Sequence, residues 1–259
     1  MDSRTSLGPT QGASPEPEGS GPPDDRPRRR LRRVLFGAAL VLLVFVVAAG
    51  LWFFLGRDQA KELSDSEAVA GFRAGGGDPT ADPAEDEGRP VPGVYTATAS
   101  GSESIGLPGF DESLGPGAPV TVTYGDDGCF IYRVDFNSHH WRSWTFCPTG
   151  TATFALQRLD SWTARKAPAL DIATLSTYRC DVPVDFLWPD MAAGDRRTGA
   201  CTGTTDSDDS VTDDDGDLEV LDVAATMKID GTDVAVVHLR SADTLSGDQT
   251  GSENGEWWL

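Results

Sequence analysis

Chemistry-bearing side chains are concentrated in one short stretch, "CFIYRVDFNSHHWRSWTFC", where Cys129 and Cys147 enclose His139, His140, Trp141 and Trp144. Two thiols and two imidazoles could hold zinc, the thiols alone could run redox chemistry, or the cysteines could close a disulfide. Neither Cys129/Cys147 nor Cys180/Cys201 has the C-x-x-C spacing of a redox motif. A second stretch, "DSDDSVTDDDGDLEVLD" (206–222), offers calcium ligands in Asp213, Asp215 and Asp222, with Gly216 at the turn position. Laid on an EF-hand loop, however, Val211 falls where the first acid belongs. A solvated acidic loop is the simpler reading. "GSESIG" (101–106) has Ser102 where a nucleophile elbow needs its first glycine. His139, His140 and His238 are the three histidines, and His238 lies in an apolar run, a packed position more often than a catalytic one. No catalytic residue, cofactor motif or metal site is assigned.

Charge and composition narrow the classes. The formal net charge is −20, while Arg26, Arg28, Arg29, Arg30, Arg32 and Arg33 crowd the N-terminal part. An acidic globular portion repels phosphate, so nucleic acid is not an expected partner. Residues 1–33 and 56–90 are rich in Pro, Gly, Ser and charge, with little to bury. They read as a disordered cytoplasmic tail and a flexible acidic linker, the latter with one short helical stretch. Residues 91–259 are long enough for a single domain. Three lysines against eighteen arginines suggest a GC-rich genome.

Between these parts runs "VLFGAALVLLVFVVAAGLWFFL", residues 34–55, without a charge. As a helix it rises about 33 Å, enough to cross the roughly 30 Å apolar core of a bilayer. The run is too long for a cleaved signal, has no cysteine for a lipoprotein signal, and is more apolar than a twin-arginine signal following Arg32-Arg33 requires. It reads as an uncleaved transmembrane signal-anchor. Arginines before it place the N-terminus in the cytoplasm and the C-terminal domain outside the cell membrane. There disulfides are permitted, and four cysteines form an even set.

That address turns attention to strands. "CFIYRVDF" and "HWRSWTFC" are matched β-prone runs around Asn137-Ser138-His139. A three-residue loop opposes Phe136 to His140 and Cys129 to Cys147, so the thiols meet in a disulfide rather than at a metal. One face then carries Phe130, Tyr132, Val134 and Phe136 opposite Phe146, Trp144, Arg142 and His140. Cys180 pairs with Cys201 by elimination. Further strand signals lie at 93–101, 119–125, 150–159 and 177–186, with a short helix expected over 166–176. Asp230-Gly231 marks a hairpin over 221–240 that opposes Lys228 to Asp233. It would put Leu221, Val223, Ala225, Met227, Ile229, Val234 and Val236 on one face with His238.

The fold class is mainly β: one transmembrane helix, then an antiparallel curved sheet or half-barrel with two disulfides. Aromatic side chains at Phe130, Tyr132, Trp144, Trp162 and Trp188 are the candidates for a ligand-binding surface.

Over residues 91–259, the strings "PGVYTATASGSESI", "GCFIYRVDF…HHWRSWTFC", "YRC…C" and "MKIDGTDVAVVHLR…G…EWWL" resemble a group of uncharacterised membrane-anchored extracytoplasmic β domains of GC-rich Gram-positive bacteria. More distantly, their strand order is similar to that of half-barrel envelope lipoprotein carriers, which cradle acyl chains. The resemblance implies a noncatalytic domain binding an envelope lipid, glycan or protein. The other readings are a hydrolase of an envelope polymer, using an acid pair the sequence does not single out, and a purely structural role. Such domains run on past the Trp-Trp pair, so the edge ending at Leu259 is expected to be incomplete. Oligomeric state and the tail's role are not legible.

Overall fold

The computed structural model describes residues 26–75, 77, 89–103, 112–125, 128–168, 170–229 and 231–259. The tail up to residue 25, residues 78–88 of the expected linker, most of "GSESIG" and Asp230 lie outside them. The chain divides into two units, Met1–Leu51 and Trp52–Leu259. The first carries most of helix α1 (Arg26–Leu55), which starts within the arginine cluster expected to be disordered. Its segment Leu35–Leu55 has a mean hydropathy of 2.8 and is the one helix among the described residues long and apolar enough to cross a membrane.

The second unit is built on one sheet. Its strands are β1 (Gly93–Thr98), β4 (Gly117–Tyr124), β5 (Phe130–Asn137), β6 (His140–Gly150), β7 (Thr153–Ala167), β8 (Leu170–Leu187), β9 (Arg196–Thr205), β10 (Val211–Ile229), β11 (Thr232–Gly247) and β12 (Gly251–Trp258). A separate pair, β2 (Ser102–Glu103) and β3 (Glu112–Ser113), sits in the β1–β4 connection. The ten strands follow chain order and the sheet is open, with β1 and β12 at its edges. Every neighbouring pair is antiparallel, as short turns between consecutive strands require.

The sheet is strongly curled. Strands β6 and β12 are six positions apart in strand order, about 29 Å in a flat sheet at ~4.8 Å per strand. Yet the Trp144 and Trp257 rings, one from each strand, meet edge to face at 5.6 Å. The concave side therefore holds the main core: Phe130, Phe146, Phe154, Val184, Phe186, Leu218, Val220 and Leu239. Full burial of each of Leu218, Val220 and Leu239 contributes about 1.5–3 kcal/mol. Two glycines permit the close approach: a Cβ at Gly203 would lie 2.4 Å from the Tyr178 ring, and one at Gly199 2.1 Å from Val184.

Both disulfides join the expected partners. Cys129–Cys147 has its Cα atoms 4.1 Å apart at the open end of the β5–β6 hairpin, and Cys180–Cys201 staples β8 to β9 at 3.8 Å. The β5–β6 register follows the sequence reading from Phe130↔Phe146 to Asp135↔Trp141. It differs at the turn, where Asn137 rather than Phe136 opposes His140. The cause is local: Asn137 Oδ1 accepts from the His139 amide at 2.8 Å, closing a tighter turn over Ser138-His139. Phe136 still meets the His140 ring, at 5.0 Å between centroids.

Three expectations are corrected. Residues 166–176 form no helix but the β7–β8 turn and the start of β8, with Lys166 opposite Asp171. Pro168 breaks a helix there, and pairing along both long strands outweighs the weak helical propensity of the Ala and Leu residues. The stretch 56–90 is not a plain linker. The Asp58 amide donates to Lys166 O at 2.8 Å and the Ser138 amide to Lys61 O at 2.7 Å, so residues 56–63 strap across the β5–β6 and β7–β8 turns. Helix α2 (Asp65–Ala74) follows, started by a Ser64/Glu67 capping box and packed on β1 and β4, with Ala68 and Phe72 buried. In the β10–β11 hairpin, Lys228 does pair with Asp233, at 2.6 Å. Register shifts between Val220, Asp222 and Ala225 displace Leu221 and Val223 from the face that Ala225, Met227, Val234 and Val236 share with His238. That face is convex, since the alternate residues Val237 and Leu239 are the ones that pack in the core.

Replacing Gly203 with alanine drives a methyl group into the Tyr178 ring and should cost about 1–3 kcal/mol. The check is the denaturation midpoint of the detergent-solubilised full chain, and an unchanged midpoint would contradict the described packing.

Candidate functional site

Alternation along the strands sorts the side chains onto two faces, and the concave one carries an apolar cavity. Its walls are Phe130 and Tyr132 from β5, Phe146 from β6, Phe154 from β7, Phe186 and Leu187 from β8, and Trp257 and Trp258 from β12. The volume is about 480 Å³. The rings are locked against one another: Phe130 stacks on Phe146 at 5.1 Å, Phe146 meets Phe186 at 5.1 Å, and Phe186 meets Trp257 at 5.2 Å. Edge-to-face pairs of this kind contribute about 0.5–1.5 kcal/mol each beyond their burial, which keeps the walls rigid. Arg89, Pro90 and Leu259 complete the lining, and the Arg89 guanidinium lies 5.5 Å from the Phe154 ring centre. Burial among these rings raises the Tyr132 hydroxyl above its ordinary range.

Of the five aromatic candidates from the sequence, the fold brings together three. Phe130 and Tyr132 line the cavity, and Trp144 braces Trp257 from behind. Trp188 lies just past β8, packed beside the core, with Arg197 stacked on its ring at 4.4 Å. Trp162 is on the convex face, where it stacks on Trp141 at 6.3 Å, and the Arg133 guanidinium lies over the Trp141 ring at 4.2 Å. The sequence reading passed over Phe154, Phe186 and Trp257. A period-2 signal was present for each, but which strands meet across the groove depends on curvature, which no local pattern encodes.

Further along the concave face are four charged side chains. Arg142 of β6 reaches across the groove to Glu253 of β12 at 2.6 Å. Glu253 directly opposes Asp243 of β11, and Asp214 of β10 projects to the same side. Burial, then the negative charges of Asp214 and Glu253, push Asp243 up to about 7. Asp214 is raised as well, by burial and then by Glu253 and Asp215. Burial also raises the nearby Tyr178 hydroxyl, reinforced by the charge of Asp214.

The calcium candidates do not converge. Residues 211–222 are strand rather than acidic loop, because β9 and β11 pair with β10 on both sides. Asp213 accepts from Thr202 Oγ1 at 3.2 Å, whereas Asp222 sits at the register shift and accepts from the Ala224 amide. Seven residues of strand, about 23 Å, separate Asp215 from Asp222. Among the described residues no group of three His, Cys, Asp or Glu side chains could hold a metal ion.

His139 serves a different end. Buried, it lies between Glu112 (Nδ1 to Oε1, 3.0 Å) and Asp58 of the strap (Nε2 to Oδ2, 3.3 Å). Arg165 pairs with the same Glu112 at 3.0 Å. This network ties the strap and β3 to the turn end of the sheet and leaves neither imidazole nitrogen facing open space. Removing one partner would strand a buried charge, the costly case for such clusters.

No protein-family model, curated protein or solved structure matches the chain.

With a folded-state value near 7 against about 3.9 unfolded, Asp243 holds its proton more tightly in the folded chain. Its contribution is complete below about pH 4 and is lost as the pH rises through 7. Asp243→Asn should therefore flatten the decline in stability between those limits, read as denaturation midpoints of the full chain across that range. A parallel curve for the variant would refute the assignment.

Proposed function

We propose that this is a single-pass membrane protein whose β domain, held outside the cytoplasm, binds an acyl-chain lipid and performs no chemistry on it. One observation carries the reading: a cavity of about 480 Å³ walled by aromatic rings on the concave face of an open sheet. That volume falls in the range of small-molecule sites, about 300–1,000 Å³, and the walls offer contact area rather than reactive groups. The apolar helix Leu35–Leu55 supports membrane attachment. Two disulfides fit an oxidising compartment, and arginines before the span favour a cytoplasmic N-terminus. The likeness to half-barrel lipoprotein carriers points the same way, whereas a glycan would call for polar partners along the walls.

A second reading, hydrolysis of an envelope polymer, is favoured by Asp243, whose raised value beside two carboxylates suits a general acid. None of Asp214, Asp243 and Glu253 lines the cavity. Acid–base chemistry would therefore need a separate binding surface.

Orientation is tested with a reporter active only outside the cytoplasm. It should work when joined after Leu259 and fail when joined before Met1, and the reverse result would overturn the compartment. Ligand binding is tested by photo-crosslinking the full chain in native membranes, with benzoylphenylalanine in place of Phe186 or of Trp162. A lipid adduct should form at position 186 and not at 162. Equal labelling, or none at 186, would overturn lipid binding, and a glycan or peptide adduct at 186 would replace the lipid with that partner.

A further inference from the structure

The walls of the cavity limit which lipid it can take. Its inner end is shut, because Trp257 meets Trp144 at 5.6 Å and Phe186 at 5.2 Å, both edge to face. Leu239, which opposes Trp257 across β11 and β12, and its β10 partner Val220 are fully buried. A ligand therefore cannot extend past the rings into the core. The mouth lies at the other end, where Phe130 opens β5, Phe154 is second in β7, and Trp258 and Leu259 are exposed.

Volume sets the number of chains. The space is about 480 Å³. A methylene takes roughly 30 Å³, about the share of one water molecule in the liquid, so the space holds about 16 carbons. That is one acyl chain. Admitting a second would mean prying apart the Phe130–Phe146, Phe146–Phe186 and Phe186–Trp257 contacts. A two-chain lipid instead leaves one chain in water and forfeits the burial that drives its binding.

Charge sets the head group. Acids outnumber bases in the chain by 41 to 21. Among the described residues that line the cavity, however, the one charged side chain is Arg89. Its guanidinium lies 5.5 Å from the Phe154 ring centre and 5.8 Å from that of Tyr124. A Cβ built on Gly128, just before β5, would lie 3.5 Å from Arg89 Nη2, which places the group at the mouth. A guanidinium presents five N–H donors in one plane, the fork that a carboxylate or a phosphate matches. A lipid bound tail inward brings its head to this side chain, where a negative head is attracted and an ammonium head is repelled.

We infer that the cavity takes a single-chain lipid with an anionic head, a carboxylate or a phosphate, its tail among the rings and its head on Arg89. This rests on the lipid reading above and adds the class of lipid. The test weighs, by mass spectrometry, the adducts that the full chain with benzoylphenylalanine at position 186 forms in native membranes. Single-chain anionic adducts should exceed two-chain adducts by about tenfold, the margin set by leaving even a few methylenes unburied. The adduct mass also separates a carboxylate head from a phosphate. Two-chain adducts in equal or greater amount, or a single-chain adduct with a neutral or cationic head, would overturn the inference and leave lipid binding intact. Arg89→Gln should cut the yield about tenfold, the effect of losing one hydrogen bond to a charged group, whereas Arg89→Lys should retain most of it. Equal yields from the two variants would overturn the role of Arg89. Absence of any lipid adduct would remove the lipid reading and this inference with it.

Discussion

The contact of Trp257 with Trp144 and Phe186 is the interaction on which the described structure depends. An open sheet with an aromatic face has to cover that face, and here the sheet covers itself by curling until its edge strand meets the sixth strand back. Among the described residues no strand pairing joins β1 to β12, and side-chain contacts hold the curl. The aromatic contacts supply the cohesion, and the Arg142–Glu253 pair adds a charged contact further down the same seam. Because the seam is not a ladder, rings can meet on one stretch of it and leave a void on another. The cavity is that void.

Energetics and position reinforce each other along the groove. Where Leu218, Val220 and Leu239 fill the space, burial is complete and the core is closed. Where large flat rings meet at edge-to-face angles, they brace one another without filling the volume. Toward the strapped turns, the same face becomes polar, with Arg142 paired to Glu253 and Asp214 and Asp243 on the same side. Burial, reinforced by the charges of Asp214 and Glu253, is why Asp243 holds its proton up to about 7. The disulfides act on the scaffold: Cys129–Cys147 closes the hairpin beside the cavity, and Cys180–Cys201 holds β8 against β9 where Tyr178 packs over Gly203.

The strap shows how an unpromising segment acquires structure. Residues 56–63 have too little apolar surface to order by burial, and they order instead by donating and accepting backbone hydrogen bonds at two hairpin turns. His139, held on its other side by Glu112, then pairs with Asp58 from the sheet side. Composition reports what a segment can bury, and it is silent about backbone groups waiting at a turn.

By itself the sequence determined whatever depends on neighbours along the chain. The uncharged run ending at Leu55, the matched arms around Ser138, the opposition of Cys129 to Cys147 and the Lys228–Asp233 pair all follow from hydropathy and period-2 spacing. Three of five aromatic candidates reached the cavity or its bracing wall for the same reason, since the β5–β6 register sorts Phe130, Tyr132 and Trp144 onto one face. Tertiary structure alone decided which distant strands face each other. Curvature is the sum of small twists over ten strands, so no local pattern announces that Phe186 and Trp257 share a wall or that Glu253 meets Arg142. It also decided that Trp162 points outward, because the register shifts in β7 and its pairing with Trp141 set that face. Likewise, 166–176 became strand, since the ladder partners that outweigh helical propensity are supplied from elsewhere in the chain.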